Sequence, residues 1–190
     1  MERGAGVSPA GAEQAGSADS ADSAGRAGGV AEEIAAAARA LVEQATPLGR
    51  TVAVAESLTG GLVAASITAV PGASAVFRGS VTAYATDAKA SVLGVDADLL
   101  ARAGAVDPEV ARQLAAGVRR LFGAELGLAT TGVAGPTEQD GKPVGLVYVA
   151  CAFGDSSPVA VELRLDGDRE AIRAQTVLRT LSLALSTFGH

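Results

Sequence analysis

The sequence predicts an α/β protein, a three-layer α/β/α sandwich built on a mixed, mostly parallel five-stranded sheet. Two observations lead to this fold class. Short apolar, β-branched runs alternate with stretches of helical periodicity between residues 30 and 131, an order that favours parallel strands with helices on both faces. Only residues 154–158, a turn rich in Gly, Ser and Pro, separate the last two apolar runs, which predicts an antiparallel pair.

Apolar runs predict five strands, at residues 51–55, 76–84, 125–131, 144–153 and 159–165. Gly79 interrupts the second run and suggests a β-bulge. The loop 132–143 has no helical pattern, so we expect the fourth strand to run antiparallel to the third. The fifth strand then points the same way as the first. This direction brings the start of the last helix to the sheet edge at which the first strand ends.

The helices are predicted from apolar spacing and from the residues that begin and end them. Residues 30–45 carry one apolar face and end before Pro47. Asp107 and Pro108 form a strong helix start, and Gly123 closes that helix. Further helices are expected after residue 61, from Thr86 or Asp87 to Gly94, over 97–102, and from 168 onward.

Length, composition and charge restrict the class of protein. A chain of 190 residues that is 48% hydrophobic can form one domain with a full core. Residues 1–29 are mainly Ala, Gly and Ser, so we expect a disordered tail there and a single domain over residues 30–190. The net charge of −6 and the 3% aromatic content argue against a nucleic-acid partner, which requires cationic and stacking side chains.

The use of cysteine and histidine limits the chemistry. Cys151 is the single cysteine and lies in an apolar run, which fits core packing in a reducing compartment. The single histidine is His190, so we expect neither a Ser-His-Asp triad nor a His-ligated metal site. No apolar run reaches the length of a membrane span, about 18 residues, and residues 1–29 contain no hydrophobic signal region. A cytoplasmic protein is expected.

The turn at residues 55–61, Ala-Glu-Ser-Leu-Thr-Gly-Gly, connects the first strand to a helix. In open α/β sheets, ligands bind at this edge. Gly60 and Gly61 allow close approach of a ligand, and the N–H groups of the first helical turn favour an anion such as phosphate. Ser57 and Thr59 add hydroxyl groups there. Alternatively, Ser57 or Thr59 only caps the helix.

Four segments are expected to meet at this edge of the sheet, 56–61, 84–89, 131–136 and 167–173. Their polar side chains suit acyl transfer. Ser57 would attack a carbonyl carbon, and Lys89 would take its proton if burial lowers the lysine pKa. Tyr84 would relay that proton or orient the lysine. Thr131 and loop N–H groups would hold the oxyanion, and Arg169 at a helix N-terminus would bind a phosphate.

Four motifs of the chain occur together, and in the same order, in a known family. They are A-E-S-x-T-G-G at 55–61, a tyrosine and a lysine at Tyr84 and Lys89 followed by L-G-V, T-G-V-A-G-P at 131–136 with K-P-V-G after it, and G-D-R at 167–169. With these motifs, residues 51–187 resemble the CinA carboxy-terminal domain, the family of nicotinamide mononucleotide (NMN) deamidases.

The resemblance implies hydrolysis of the nicotinamide amide of NMN to nicotinate mononucleotide and ammonia. It also implies a homodimer, and an activity that requires no metal or cofactor. Ser57, Tyr84, Lys89 and Thr131 are the expected catalytic residues. Substrate binding is expected at Glu56, Thr59, Gly60, Gly61, Gly132, Gly135 and Arg169.

The sequence departs from the family pattern near these motifs. Leu58 replaces the usual cysteine after the serine and could narrow the pocket. Asp107 replaces a serine, and Thr86-Asp87 replaces an asparagine-glutamate pair. Two other functions therefore stay open. One is a nucleotide-binding or regulatory module of the same fold with impaired catalysis. The other is an amidase for a different phosphorylated or ribosylated amide.

Overall fold

The computed structural model describes residues 17–188, with side chains from residue 28 onward. The strands are β1 (Val52–Glu56), β2 (Phe77–Thr82), β3 (Leu126–Gly132), β4 (Leu146–Phe153) and β5 (Val159–Arg164). The helices are α1 (Ser17–Ala45), α2 (Leu62–Thr68), α3 (Thr86–Leu93), α4 (Ala97–Ala103), α5 (Pro108–Phe122) and α6 (Arg169–Phe188). Short 3₁₀ turns occur at Thr46–Leu48 and Ala73–Ala75.

The strands form one sheet in the order β2-β1-β3-β4-β5. β1 is parallel to β2 and to β3, whereas β4 is antiparallel to β3 and to β5. This arrangement confirms the predicted mixed, mostly parallel sheet and the reversal of the fourth strand. The pairing of β1 with β2 skips Arg78 next to Gly79, where the bulge was predicted. The carboxyl ends of β1, β2 and β3 therefore lie at one edge of the sheet.

Helices cover both faces of the sheet and confirm the three-layer sandwich. Alternate residues of β1 face opposite cores, because successive strand side chains point to opposite sides. Ala53 and Ala55 belong to a core that includes buried residues of α3, α4 and α5. Val52 and Val54 belong to a core that includes buried residues of α1, α2 and α6.

The first helix begins earlier than predicted. α1 starts at Ser17, whereas the sequence analysis placed the start at Val30. The expectation of disorder rested on the Ala, Gly and Ser composition of residues 17–29, but alanine has the highest helix propensity, and such a composition does not exclude a helix. The first 16 residues of the predicted disordered tail lie outside the described residues. The division into a tail and one domain stays a prediction.

Side chains and glycines end the helices mostly where the sequence indicated. The Asp107 carboxylate accepts hydrogen bonds from the N–H groups of Glu109 and Val110 at 2.7 and 3.2 Å, so it caps α5 as predicted. Gly94 ends α3 with a left-handed φ of 70°. The predicted cap of α3 is wrong in position, because the N-cap residue is Ala85, and the Asp87 carboxylate instead accepts from the Ala88 N–H at 2.9 Å inside the first turn.

A close helix contact fixes the position of α3 relative to the sheet. Gly117 of α5 lies against the backbone carbonyl of Leu93, the last residue of α3, and a Cβ atom at this glycine would overlap that carbonyl. α5 in turn packs on β1, β3 and β4. The absence of a side chain at Gly117 thus allows α3, which carries Lys89, to approach the end of β1 where Ser57 lies.

Candidate active site

A cavity of about 280 Å³ opens at the edge of the sheet where β1 and β3 end. This volume is close to the lower end of the range for small-molecule sites, roughly 300–1,000 Å³. Most of the residues predicted for the site line the cavity: Ser57, Tyr84, Lys89, Thr131, Gly132, Gly135 and Arg169. Four others do not line it: Glu56, Thr59, Gly60 and Gly61.

Lys89 and Ser57 meet at the floor of this cavity. The Lys89 Nζ atom donates a hydrogen bond to the Ser57 Oγ atom at 3.2 Å. It also donates to the carbonyl oxygens of Ala83 at 2.8 Å and of Tyr84 at 3.3 Å. The Lys89 side chain is only 1% exposed, and burial lowers its pKa from the ordinary 10.5 to about 8. Loss of hydration disfavours the charged ammonium form, so the neutral amine is accessible near neutral pH.

The Tyr84 hydroxyl is not among the hydrogen-bond partners of the Lys89 amine. The hydroxyl oxygen accepts a hydrogen bond from Arg169 Nη2 at 2.9 Å, and the Tyr84 side chain is largely exposed. The main-chain carbonyl of Tyr84, not its hydroxyl, meets the lysine. The backbone carbonyl groups of residues 83 and 84 therefore orient the Lys89 amine. The Tyr84 hydroxyl lies beside Arg169 at the mouth of the cavity.

The Thr131 hydroxyl is already engaged inside the protein. Its Oγ1 atom donates to the carbonyl oxygen of Ala105 at 2.7 Å, and the residue is buried. In this arrangement the Thr131 hydroxyl has no proton left to donate to an oxyanion. Among the described residues, the backbone N–H groups of Leu58 and Ala134 carry no hydrogen bond, and both residues line the cavity. These amides are the better candidates for oxyanion donors.

Glu56 occupies the helix N-terminus that the sequence analysis assigned to an anion. Its buried carboxylate accepts hydrogen bonds from the N–H groups of Gly61, Val63 and Ala64 at 2.9, 3.1 and 2.9 Å. The expectation that these N–H groups are free for phosphate is therefore wrong. A carboxylate of the chain itself supplies the negative charge that a helix N-terminus favours. Neither Ser57 nor Thr59 caps α2, since no other side chain bonds to these amides.

The remaining residues of the turn support its shape. The Thr59 hydroxyl bonds to the Thr130 hydroxyl at 2.8 Å, in a fully buried position. Gly60 and Gly61 have φ values of 62° and 103°, the left-handed region that favours glycine. The structure thus gives Thr59, Gly60 and Gly61 a role in shaping the turn that carries Ser57.

Arg169 lies at the mouth of the cavity and is fixed there by two hydrogen bonds. Its Nη1 atom donates to the Gly135 carbonyl at 2.9 Å, and its Nη2 atom donates to the Tyr84 hydroxyl. The guanidinium remains exposed, so it can still meet an anionic group of a ligand.

Several residues of this region were missed by the sequence analysis. Thr137, Glu138 and Gln139 line the cavity from the loop between β3 and β4, where no pattern distinguished them from other loop residues. Arg173 donates from Nε to the Leu58 carbonyl at 3.0 Å and from Nη2 to the Thr59 carbonyl at 2.8 Å. Its position one turn after Arg169 in α6, at the end of the predicted segment 167–173, was the available signal.

Leu58 packs into a small core and lines the floor of the cavity. It is buried in a cluster with Ala134, Val147, Val149 and Ile172. Most of the Leu58 side chain therefore packs against apolar residues between the sheet and α6. The cavity next to Ser57 stays open beside it.

The fold and the site together define a class of protein, an α/β/α sandwich with a serine and a buried lysine at the carboxyl edge of its parallel strands. A family model, the CinA C-terminal domain, matches residues 34–188 of the chain. The chain belongs to the CinA C-terminal domain family.

Relatives of known sequence or structure support this assignment. A CinA-like protein of Frankia casuarinae is 55% identical over 133 residues, which are 70% of this chain and 30% of that protein. The crystal structure of competence/damage inducible protein CihA from Agrobacterium tumefaciens has a TM-score of 0.79 at 38% identity and covers 83% of this chain and 96% of that one. A competence damage-inducible protein A from Klebsiella pneumoniae has a TM-score of 0.80 at 28% identity, with coverages of 83% and 98%.

The chain spans about a third of the length of the curated relatives it matches, 30% and 33% for two of them. Across the described residues, no helix has both the length and the apolar character needed to span a membrane.

Replacing the Glu56 carboxylate by an amide tests its structural role. Glu56→Gln puts an NH2 group where an acceptor is needed, so at least one buried N–H of α2 loses its partner. We expect the free energy of unfolding to fall by about 1–3 kcal/mol in urea titrations. Glu43→Gln, an exposed position on α1, is the control and should change it by no more than about 0.5 kcal/mol. Equal stability of Glu56→Gln and wild type would contradict the capping role.

Proposed function

We propose that this chain is an amidohydrolase that converts NMN to nicotinate mononucleotide and ammonia. The observation that carries the proposal is the contact of 3.2 Å between Lys89 Nζ and Ser57 Oγ in a buried position. A serine alone is a weak nucleophile and needs an adjacent base. NMN as the substrate is suggested by the sequence motifs that the chain shares with the NMN deamidases.

The chemistry would proceed in two steps that share one base. Neutral Lys89 takes the proton of Ser57, and Oγ forms a bond to the amide carbon. When the carbon–nitrogen bond breaks, Lys89 returns that proton to the leaving NH2 group, which departs as ammonia. Water then attacks the resulting ester. One proton of the water passes through Lys89 to the Ser57 oxygen as the ester bond breaks, and the acid that forms releases the other to solvent as it becomes the carboxylate. The proton transfers to and from Ser57 all pass through one amine, so the protonation state of Lys89 controls the rate.

Two other features of the cavity support this mechanism. The free N–H groups of Leu58 and Ala134 are available to stabilise the negative oxygen that forms when Ser57 attacks. Arg169 at the mouth offers a guanidinium that suits the phosphate of a mononucleotide, and Tyr84 holds one of its nitrogens. Two further parts of the proposal rest on the family resemblance: assembly as a homodimer and activity without a cofactor.

A second candidate function, a nucleotide-binding or regulatory module, is favoured by one observation. Lys89 Nζ has three hydrogen-bond acceptors, which match the three protons of a charged ammonium group. A lysine held permanently in that form would orient Ser57 and would not act as a base. Such a module would bind NMN without consuming it.

Ammonia release from NMN by the purified protein separates the two functions. We expect turnover in wild type and a loss of at least about 1,000-fold in Ser57→Ala, because the nucleophile is gone. Ser91→Ala, which removes an exposed hydroxyl of α3, is the control and should keep wild-type activity. No release from folded wild type, combined with measurable NMN binding, would contradict the amidohydrolase and favour the binding module.

The pH dependence of the reaction tests the role of the lysine. Because the pKa of Lys89 is lowered to about 8, the neutral base becomes more abundant as the pH rises. We expect kcat/KM to increase up to about pH 8 and then to level off. Lys89→Arg should lack this activity, because arginine cannot give up its proton. A wild-type profile without an inflection near pH 8, or full activity of Lys89→Arg, would show that another group is the base.

A further inference from the structure

The turn that carries Ser57 is held from two sides by charged side chains that never contact the cavity. On one side, the Glu56 carboxylate accepts hydrogen bonds from the N–H groups of Gly61, Val63 and Ala64. On the other side, the Arg173 guanidinium donates to the carbonyl groups of Leu58 and Thr59. Two carbonyl groups of the turn and the N–H groups at its end are therefore each bound by one planar, charged side chain.

The geometry of Arg173 is specific to arginine at this point. Its Nε and Nη2 atoms reach two successive carbonyl oxygens, at 3.0 and 2.8 Å, which uses the fixed fork of the guanidinium. Gly60 follows these carbonyls, and a Cβ atom there would lie 3.3 Å from Arg173 Nη2. A side chain at residue 60 would thus press against the guanidinium. The turn and the arginine fit each other closely.

α6 contacts the turn that carries Ser57 through more than Arg173. Ile172, next to Arg173, is fully buried in the cluster that also contains Leu58. The helix therefore touches the turn twice, through an apolar contact with the Leu58 side chain and through hydrogen bonds to the backbone. Its N-terminal residue Arg169 reaches the mouth of the same cavity. α6 therefore carries both a residue at the mouth of the cavity and a residue that binds the backbone of Leu58 and Thr59.

From these contacts we infer that Arg173 is a positioning residue for Ser57. Its two hydrogen bonds hold the carbonyl groups of the next two residues, so that Ser57 Oγ stays within reach of Lys89 Nζ. Arg173 does not line the cavity and is not expected to touch the substrate. The inference rests on the proposed function, since it assigns Arg173 to the reaction of Ser57.

Kinetics can separate positioning from simple stabilisation. Loss of positioning lowers the rate of the step in which Ser57 attacks, while substrate binding at Arg169 and the pKa of Lys89 stay as they are. A displacement of the order of 1 Å at a nucleophile is enough to reduce the rate by about 100-fold. A purely structural residue would instead change the fraction of folded protein and leave the reactivity of each folded molecule unchanged.

The experiment compares Arg173→Met and Arg173→Lys with the control Arg179→Met, an exposed arginine later in α6. Two rates are measured at a temperature at which circular dichroism shows every variant folded. One is ammonia release from NMN across pH. The other is modification of Ser57 by phenylmethylsulfonyl fluoride, in which Oγ gives its proton to Lys89, bonds to sulfur and displaces fluoride. Intact-mass measurement follows this modification, with Ser57→Ala as the blank.

For Arg173→Met we expect kcat and the modification rate to fall by about 100-fold, with KM within about twofold and the inflection near pH 8 retained. Arg173→Lys, which can reach one carbonyl at a time, should recover part of both rates, and Arg179→Met should match wild type.

Wild-type rates in folded Arg173→Met would overturn the inference, as would a rise in KM alone. If wild type does not hydrolyse NMN but is modified at Ser57, the proposed substrate fails and the modification rates alone decide the inference. If wild type shows neither reaction, Ser57 is not activated and the inference fails with it.

Discussion

Burial of the Lys89 amine beside Ser57 is the constraint on which the rest of the site depends. A lysine side chain that is 1% exposed is stable only if its polar end has partners, and the carbonyl groups of residues 83 and 84 supply them together with Ser57. The fold brings these partners together. α3 approaches β1 because Gly117 of α5 has no side chain, and the segment between β2 and α3 turns its carbonyl groups toward the amine.

The position of Ser57 is fixed by hydrogen bonds to the backbone of the turn that follows it. Glu56 and Arg173 carry opposite charges, yet each binds backbone groups of the turn. This arrangement leaves the cavity itself free of their charges and keeps the turn rigid without using the serine side chain. The Ser57 hydroxyl is then available to Lys89, whose Nζ atom lies 3.2 Å away. In the proposed reaction, a nucleophile and a base fixed independently in this way need little rearrangement before they react.

The sequence predicted the fold well, because period-2 and period-3.6 patterns and short connections determine the layers and the strand directions. It also predicted that residues 57, 84, 89, 131 and 169 come close together, since strand direction alone brings their segments to one edge. It did not predict the direction of individual hydrogen bonds. Glu56 was expected to bind a ligand, but its carboxylate caps α2. The Thr131 hydroxyl was expected to hold the oxyanion, but it donates to the Ala105 carbonyl. Such choices depend on distances of a few tenths of an ångström, which no spacing of residues encodes.

The proposed reaction requires that Lys89 be a base near neutral pH, and a direct titration of this amine tests that requirement most sharply. Lys89 and Lys142 are the two lysines of the sequence, so protein labelled with ¹³C at lysine Cε gives two resonances, and Lys89→Arg assigns them. We expect the Lys89 resonance to titrate with a pKa of about 8 in the folded protein. A Lys89 amine that stays charged up to its ordinary pKa of 10.5 would contradict the account.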